Sequence, residues 1–301
     1  MRRTILLLTM MGLTLALSSA IALAAVKVGT NAGERIVGTD GNDQINGKGG
    51  NDDLRGKAGN DIYYFADGFG VDTLTDTAGT DTLSFSTLTT GVNVYLLPEW
   101  GADYNAVYDD DDTTLRVSMS NGTKVSTIEN VAGGLGEDYL AGGSAENTLR
   151  PGGSAKDILK DWGGYDGSTG FAAIPNSNDT YKGFKDNTGI DYVIDYGGSA
   201  DVVDLKPYES TDVYVDAVDL NNNGTDESLS LKYKNSAGAD AEIIIVGYFL
   251  NYYTGQEGKI EEIRFADDTI SAAQAQDLAA ASAREGSSNV TAKDLAAETK
   301  K

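Results

Sequence analysis

Large apolar residues recur every ninth position near the start of the chain, at Ile36, Ile45, Leu54 and Tyr63. Residues 29–37, 38–46, 47–55 and 56–64 each open on a glycine-rich stretch of six and close on three residues around that apolar one. Glycine admits φ > 0, so the six predict a tight turn with inward carbonyls. The last three predict a short strand that sends one side chain to one side. Two units make a coil of 18 residues, so alternate units stack. Ordinary Asn-Asp-Gly turns between hairpin strands are the alternative, and four units in strict register speak against them.

The same alternation continues downstream. Val92, Val94 and Leu96 predict a strand, as do Leu115, Val117 and Met119, followed by an Asn121-Gly122 turn and a return through Val125 and Ile128. A second array covers 133–141, 142–150 and 152–160, with a fourth unit around Gly163, Gly164 and Asp166. Pro151 adds a residue and should disturb the register; Asn147 stands where a carboxylate is expected, and Ser168 where the large apolar residue belongs. Leu229, Leu231 and Tyr233, the run 243–246, and Ile260, Ile263 and Phe265 predict further β-structure. Ser271 and Gln274 form a capping box for an Ala-rich helix that Gly286 can stop, before a polar tail.

The sixth position of the first four units carries Glu34, Asp43, Asp52 and Asp61. Stacking places Asp43 over Asp61 and Glu34 over Asp52. Calcium takes six to eight hard oxygens at ~2.4 Å, which two stacked turns can offer. The same grammar adds Asp72, Asp76 and Asp81, then Asp138, Asp157 and Asp166, then Asp179 and Asp191, as candidate calcium ligands. Both arrays end on an aromatic strand and a Gly-x-Asp-x₃-Asp segment, at 70–76 and 189–195. The run 109–112 is four aspartates, a solvated loop or a cation site. Residues 219–226 read either as an Asn-Gly hairpin turn or as half an EF-hand loop, with Ser230 in the place of its glutamate.

Charge narrows the partners. The 301 residues hold 46 Asp+Glu against 23 Lys+Arg. That balance argues against nucleic acid and anionic lipid and suits a collector of divalent cations. Residues 1–24 read as a signal peptide, with Arg2 and Arg3, an apolar stretch, and Ala22-Leu23-Ala24 before a cut at Ala25; a retained anchor is the alternative. Its removal takes the formal charge from −23 to −25, and the mature chain has no membrane span. Cysteine is absent, so an exported chain needs another staple, and bound metal can serve. Histidine is absent too, which excludes zinc-protease and Ser-His-Asp chemistry. No G-x-S-x-G or phosphate-binding loop occurs.

These repeats resemble the RTX, or haemolysin-type calcium-binding, family, and residues 260–270 resemble the β-rich C-terminal region of such proteins. The resemblance implies an all-β fold built on a parallel β-roll that binds Ca²⁺ between stacked turns. It also implies secretion, with folding delayed until the chain meets extracellular calcium. Many relatives leave through a one-step exporter that reads an uncleaved C-terminal signal, whereas this chain carries a cleavable N-terminal one. The expected organisation is a signal peptide (1–24), a first roll module (25–82), a β-rich insert (83–131), a second, degenerate module (132–204), a C-terminal β-domain (205–270), and a short helix with a tail (271–301). The expected function is a secreted calcium-binding module with a structural or binding role and no catalysis. The alternative is an extracellular polysaccharide-active enzyme, or an adhesin with a cell-surface or polysaccharide partner, using the insert or the C-terminal domain.

Overall fold

The computed structural model describes residues 23–96, 105–109, 116–119, 128–143, 146–153, 156–160, 178–184, 189–195, 200–220, 222, 228–246 and 260–277. The expectations for residues 1–22, 110–112, Asn121, Gly122, Asp166, Ser168 and Gly286 lie outside them.

In chain order the strands are β1 (Val26–Val28), β2 (Arg35–Val37), β3 (Gln44–Asn46), β4 (Asp53–Arg55), β5 (Ile62–Tyr64), β6 (Val71–Thr75) and β7 (Thr82–Ser84). Next come β8 (Val92–Leu96), β9 (Asn105–Asp109), β10 (Arg116–Met119), β11 (Asn130–Ala132), β12 (Tyr139–Ala141), β13 (Thr148–Arg150) and β14 (Ile158–Lys160). The last are β15 (Thr180–Lys182), β16 (Gly189–Ile194), β17 (Val202–Leu205), β18 (Tyr214–Val218), β19 (Ser228–Lys234), β20 (Asp240–Ile245), β21 (Glu262–Phe265) and β22 (Thr269–Ser271). Helix α1 covers 272–277.

Successive strands alternate between two largely parallel sheets, which makes a β-roll. The first sheet runs β1-β3-β5-β7-β11-β13-β15-β17-β21-β22. The second runs β18-β19-β20-β16-β14-β12-β8-β9-β10-β6-β4-β2. Strands of both arrays and of the segment between them share these sheets: β7 pairs with β11, and β8 with β12. In the second sheet β8, β9 and β10 stand where a single strand would complete the coil. Phe65, Phe69 and Phe85 cluster in the core where these extra strands enter, with ring centroids 5.2–6.4 Å apart.

The 18-residue coil appears where the units are regular. Val26 pairs with Gln44, Gln44 with Ile62, and Arg35 with Asp53. Between β5 and β6 two further residues enter, so Asp53 pairs with Thr73 and Ile62 with Thr82. Gly70, at φ 93°, makes that turn possible, because a side chain there would overlap the carbonyl of Gly50. Pro151 does not disturb the ladder as expected. The turn absorbs the extra residue, with Gly152 at φ 107°, and Leu140 still pairs with Leu159.

The apolar residue of each strand points between the sheets. Ile45, Leu54, Tyr63, Leu83, Val131, Leu140, Leu149, Leu159 and Tyr181 are fully buried. Each such burial contributes roughly 1.5–3 kcal/mol, against the ordering of a whole unit. Lys27 takes the inward position on the edge strand β1, in register with Ile45, a charge that discourages pairing of that edge. At the other end the pairing turns antiparallel, through β21–β22 and β18–β19–β20. Ser230 lies buried within β19, and its hydroxyl donates to Glu242. The capping box of α1 forms: Ser271 N donates to Gln274 Oε1 at 2.9 Å, and Gln274 N to Ser271 Oγ at 3.4 Å.

Candidate metal centre

Each acidic residue ends its turn and precedes its strand, so stacking the coils stacks the carboxylates in two columns. In the first, the backbone N–H of Ala25 donates to Asp43 Oδ1 at 2.6 Å, Asp43 N to Asp61 at 2.7 Å, and Asp61 N to Asp81 at 2.7 Å. Asp81 N donates to Glu129 Oε2, Asn147 N to Asp179, Asp179 N to Asp201, and Asp201 N to Glu261 Oε2, all at 2.6–2.8 Å. In the second column Glu34 N donates to Asp52 and Asp52 N to Asp72, both at 2.8 Å. Further along it, Val92 N donates to Asp138, Asp138 N to Asp157, and Asp157 N to Asp191, at 2.8–3.0 Å.

One carboxylate oxygen is used this way, and the other is the informative one. Oδ2 of Asp52, Asp61, Asp72, Asp81 and Asp201 is buried without a hydrogen-bond partner. A buried carboxylate oxygen without a donor is costly, and a bound cation removes the cost. Oδ2 also explains the first glycine of each unit. Side chains at Gly38, Gly47, Gly56 and Gly133 would overlap Oδ2 of Asp43, Asp52, Asp61 and Asp138.

Among the described residues two places gather three carboxylates. Asp61, Asp76 and Asp81 are buried and present oxygens within 4.8 Å of one another, as do Asp179, Asp195 and Asp201. Asp76 is one residue past the Arg55–Thr75 pair, which places it in the stack where the coil below has Gly56. Each cluster has a tyrosine lid: Tyr63 donates to Asp76, and Tyr181 to Asp195 at 3.0 Å. A side chain at Gly56 would overlap Asp61, Asp76 and the Tyr63 hydroxyl, so the glycine keeps the space among them open.

Burial foremost, then the neighbouring acids, pushes Asp61 up to about 7 and Asp81 up to about 8. Burial likewise raises Asp72 to about 7, Glu129 to about 7 and Asp201 to about 8. Asp76 moves up as well, through burial. These groups resist ionising together, and a divalent cation among them removes that resistance. The set is all hard oxygen, which suits Ca²⁺ and no soft metal. Asp61, Asp76 and Asp81 would hold an ion with turn carbonyls, and Asp179, Asp195 and Asp201 a second.

The candidate residues are placed unevenly. Asp43 turns Oδ2 to the N–H of Thr39, and Asp138 turns its own to Gly134 N at 2.7 Å. Glu34, at the exposed end of its column, takes the Thr30 hydroxyl. Asn147 satisfies its own place: Gly143 N donates to Oδ1 at 2.7 Å, and Nδ2 donates to the Glu129 carbonyl at 2.9 Å. Glu129, Asp195, Asp201 and Glu261 were not among the expected ligands. For Glu129 and Glu261 the signal is an acid two residues before an inward apolar one, as in Glu129-Asn-Val131 and Glu261-Glu-Ile263, without a glycine turn ahead; Asp195 ends the Gly-x-Asp-x₃-Asp segment, and Asp201 follows Gly197-Gly198 as the repeat grammar asks.

The fold and its acidic columns define a calcium-binding β-roll. The profile of the RTX calcium-binding nonapeptide repeat (4 copies) matches residues 28–63 and 126–155, so those two stretches carry RTX repeats. No curated protein matches the chain. Among the described residues no helix is long and apolar enough to cross a membrane.

Proposed function

We propose that this calcium-binding roll is exported, folds on meeting extracellular Ca²⁺, and serves as a structural or binding module without catalysis. The observation that carries the reading is the set of buried Oδ2 atoms without donors, which makes the folded columns depend on a cation. Inside a cell calcium is scarce, so the chain stays unfolded and exportable; outside, binding energy becomes folding energy. The test is expression of the full chain with analysis of the medium. Protein starting at Ala25, with β-structure that chelator removes and calcium restores, supports the proposal. Uncut protein held in the cell contradicts export, and β-structure indifferent to chelator contradicts the calcium role.

One observation favours a polysaccharide partner. A cleft of about 350 Å³ opens on the second sheet, lined by the exposed Tyr214 and Ile190 together with Lys232 and Glu242. An aromatic side chain beside opposite charges suits a sugar chain. Incubation with acidic polysaccharides separates retention, which this reading expects, from cleavage, which an enzyme would show.

A further inference from the structure

At the open end of the first column the donor to Asp43 Oδ1 is the backbone nitrogen of Ala25, at 2.6 Å. That nitrogen belongs to the bond that the expected cut would break. Hydrolysis adds water across the Ala24–Ala25 amide. The carbonyl carbon leaves as the leader's carboxylate, and the nitrogen, taking a proton, remains as an ammonium. We propose that this new α-ammonium is the cation of the terminal layer: leader cleavage converts a neutral donor to Asp43 into an ion pair and so completes the first coil. The inference rests on the export reading above.

The surroundings hold the ammonium in place. The Ala25 carbonyl accepts from Gln44 N at 2.8 Å, and β1 pairs with β3 from Val26 onward, so the nitrogen cannot swing away without breaking the sheet edge. Asp43 is 1 % exposed, so the pair is poorly screened. In the next layers Asp61 and Asp81 receive neutral backbone donors, from Asp43 N and Asp61 N. A charge-assisted hydrogen bond is shorter and about twice as strong as a neutral one. Before cleavage the terminal carboxylate lacks that charge, and the coil is correspondingly weaker while the chain is still in transit.

The experiment compares three calcium-loaded preparations: the chain starting at Ala25, the same chain N-acetylated, and the chain extended to Leu23. Acetylation keeps an N–H and removes the charge. The folded-to-unfolded ratio, read from urea unfolding, should fall roughly five- to tenfold in the acetylated and extended chains. In Asp43→Asn the difference between free and acetylated chains should vanish. Equal stability of the three preparations overturns the proposal, as does an acetylation effect that persists in Asp43→Asn. If Asp43→Asn does not fold, comparing the free and extended chains decides alone. Mass analysis of the exported protein tests the cut separately: uncut protein held in the cell sinks the export reading, an exported protein starting elsewhere than Ala25 overturns the ion pair with export intact, and equal stabilities with the cut at Ala25 sink only the ion pair.

Discussion

Asn147 Nδ2 donates to the Glu129 carbonyl at 2.9 Å, in the column where Asp61 and Asp81 each leave a buried oxygen without a donor. The amide does with its own hydrogen what the aspartates need a cation to do. Asn147→Asp should therefore set an acceptor against an acceptor. The variant should lose roughly 1–3 kcal/mol of stability until an ion fills the layer. It should therefore need more calcium than wild type to fold, so the calcium midpoint of the β-signal rises. An unchanged calcium midpoint would show that this layer is indifferent to ions.

The raised carboxyls give the metal-free protein an unusual pH dependence. Asp61, Asp72 and Asp81 rise from 3.8 to about 7, 7 and 8. A folded form that holds protons more tightly than the unfolded one is most favoured below the unfolded value, near 4. It loses that advantage as pH rises through about 7 to 8. In chelator, the residual β-signal should fall from pH 5 to pH 8. Calcium competes with these protons, so its affinity should rise over the same window. A calcium-free β-signal that grows with pH would contradict the buried columns.

Lys57 sits at φ 90° and Lys48 at φ 70°, in the turn position that the nonapeptide consensus gives to glycine. A non-glycine residue there costs about 1 kcal/mol or more, and each lysine adds a positive charge to a turn of the calcium-binding repeat. Lys57→Gly should raise calcium-loaded stability by about 1 kcal/mol and tighten calcium binding. Chemical unfolding checks the first effect and calorimetry the second; a lower urea midpoint would count against the turn geometry.

Asp61 and Asp76 share one cluster, while Asp179 belongs to the other. Asp61→Asn and Asp76→Asn should each weaken one site, and the double change should cost clearly less than the sum of the singles. Asp61→Asn combined with Asp179→Asn should be additive. Additivity in both pairs, by calcium titration, would mean that Asp61 and Asp76 do not hold a common ion.

Much of this was legible in the sequence because it is local. The nine-residue cadence announces the coil, and the acid two places before Ile45 or Tyr63 announces the column. What is not local was missed. The pairing of β7 with β11 spans a long intervening segment, so two arrays in the sequence share one pair of sheets in space. Glu129 and Glu261 lack the glycine turn that flags the others, yet their longer side chains reach the same N–H position. Pro151 looked like a break, but a turn residue at φ > 0 absorbs an insertion without moving the strands.

The most direct test is amide exchange of the full chain, with and without calcium, read at Asp43, Asp61, Asp81 and Asp179. Their N–H groups donate along the first column, to Asp61, Asp81, Glu129 and Asp201. If ions hold the columns, these amides exchange slowly in calcium and lose that protection in chelator, together with the β-signal in circular dichroism. Protection and β-signal identical in the two conditions would show that the roll stands without calcium.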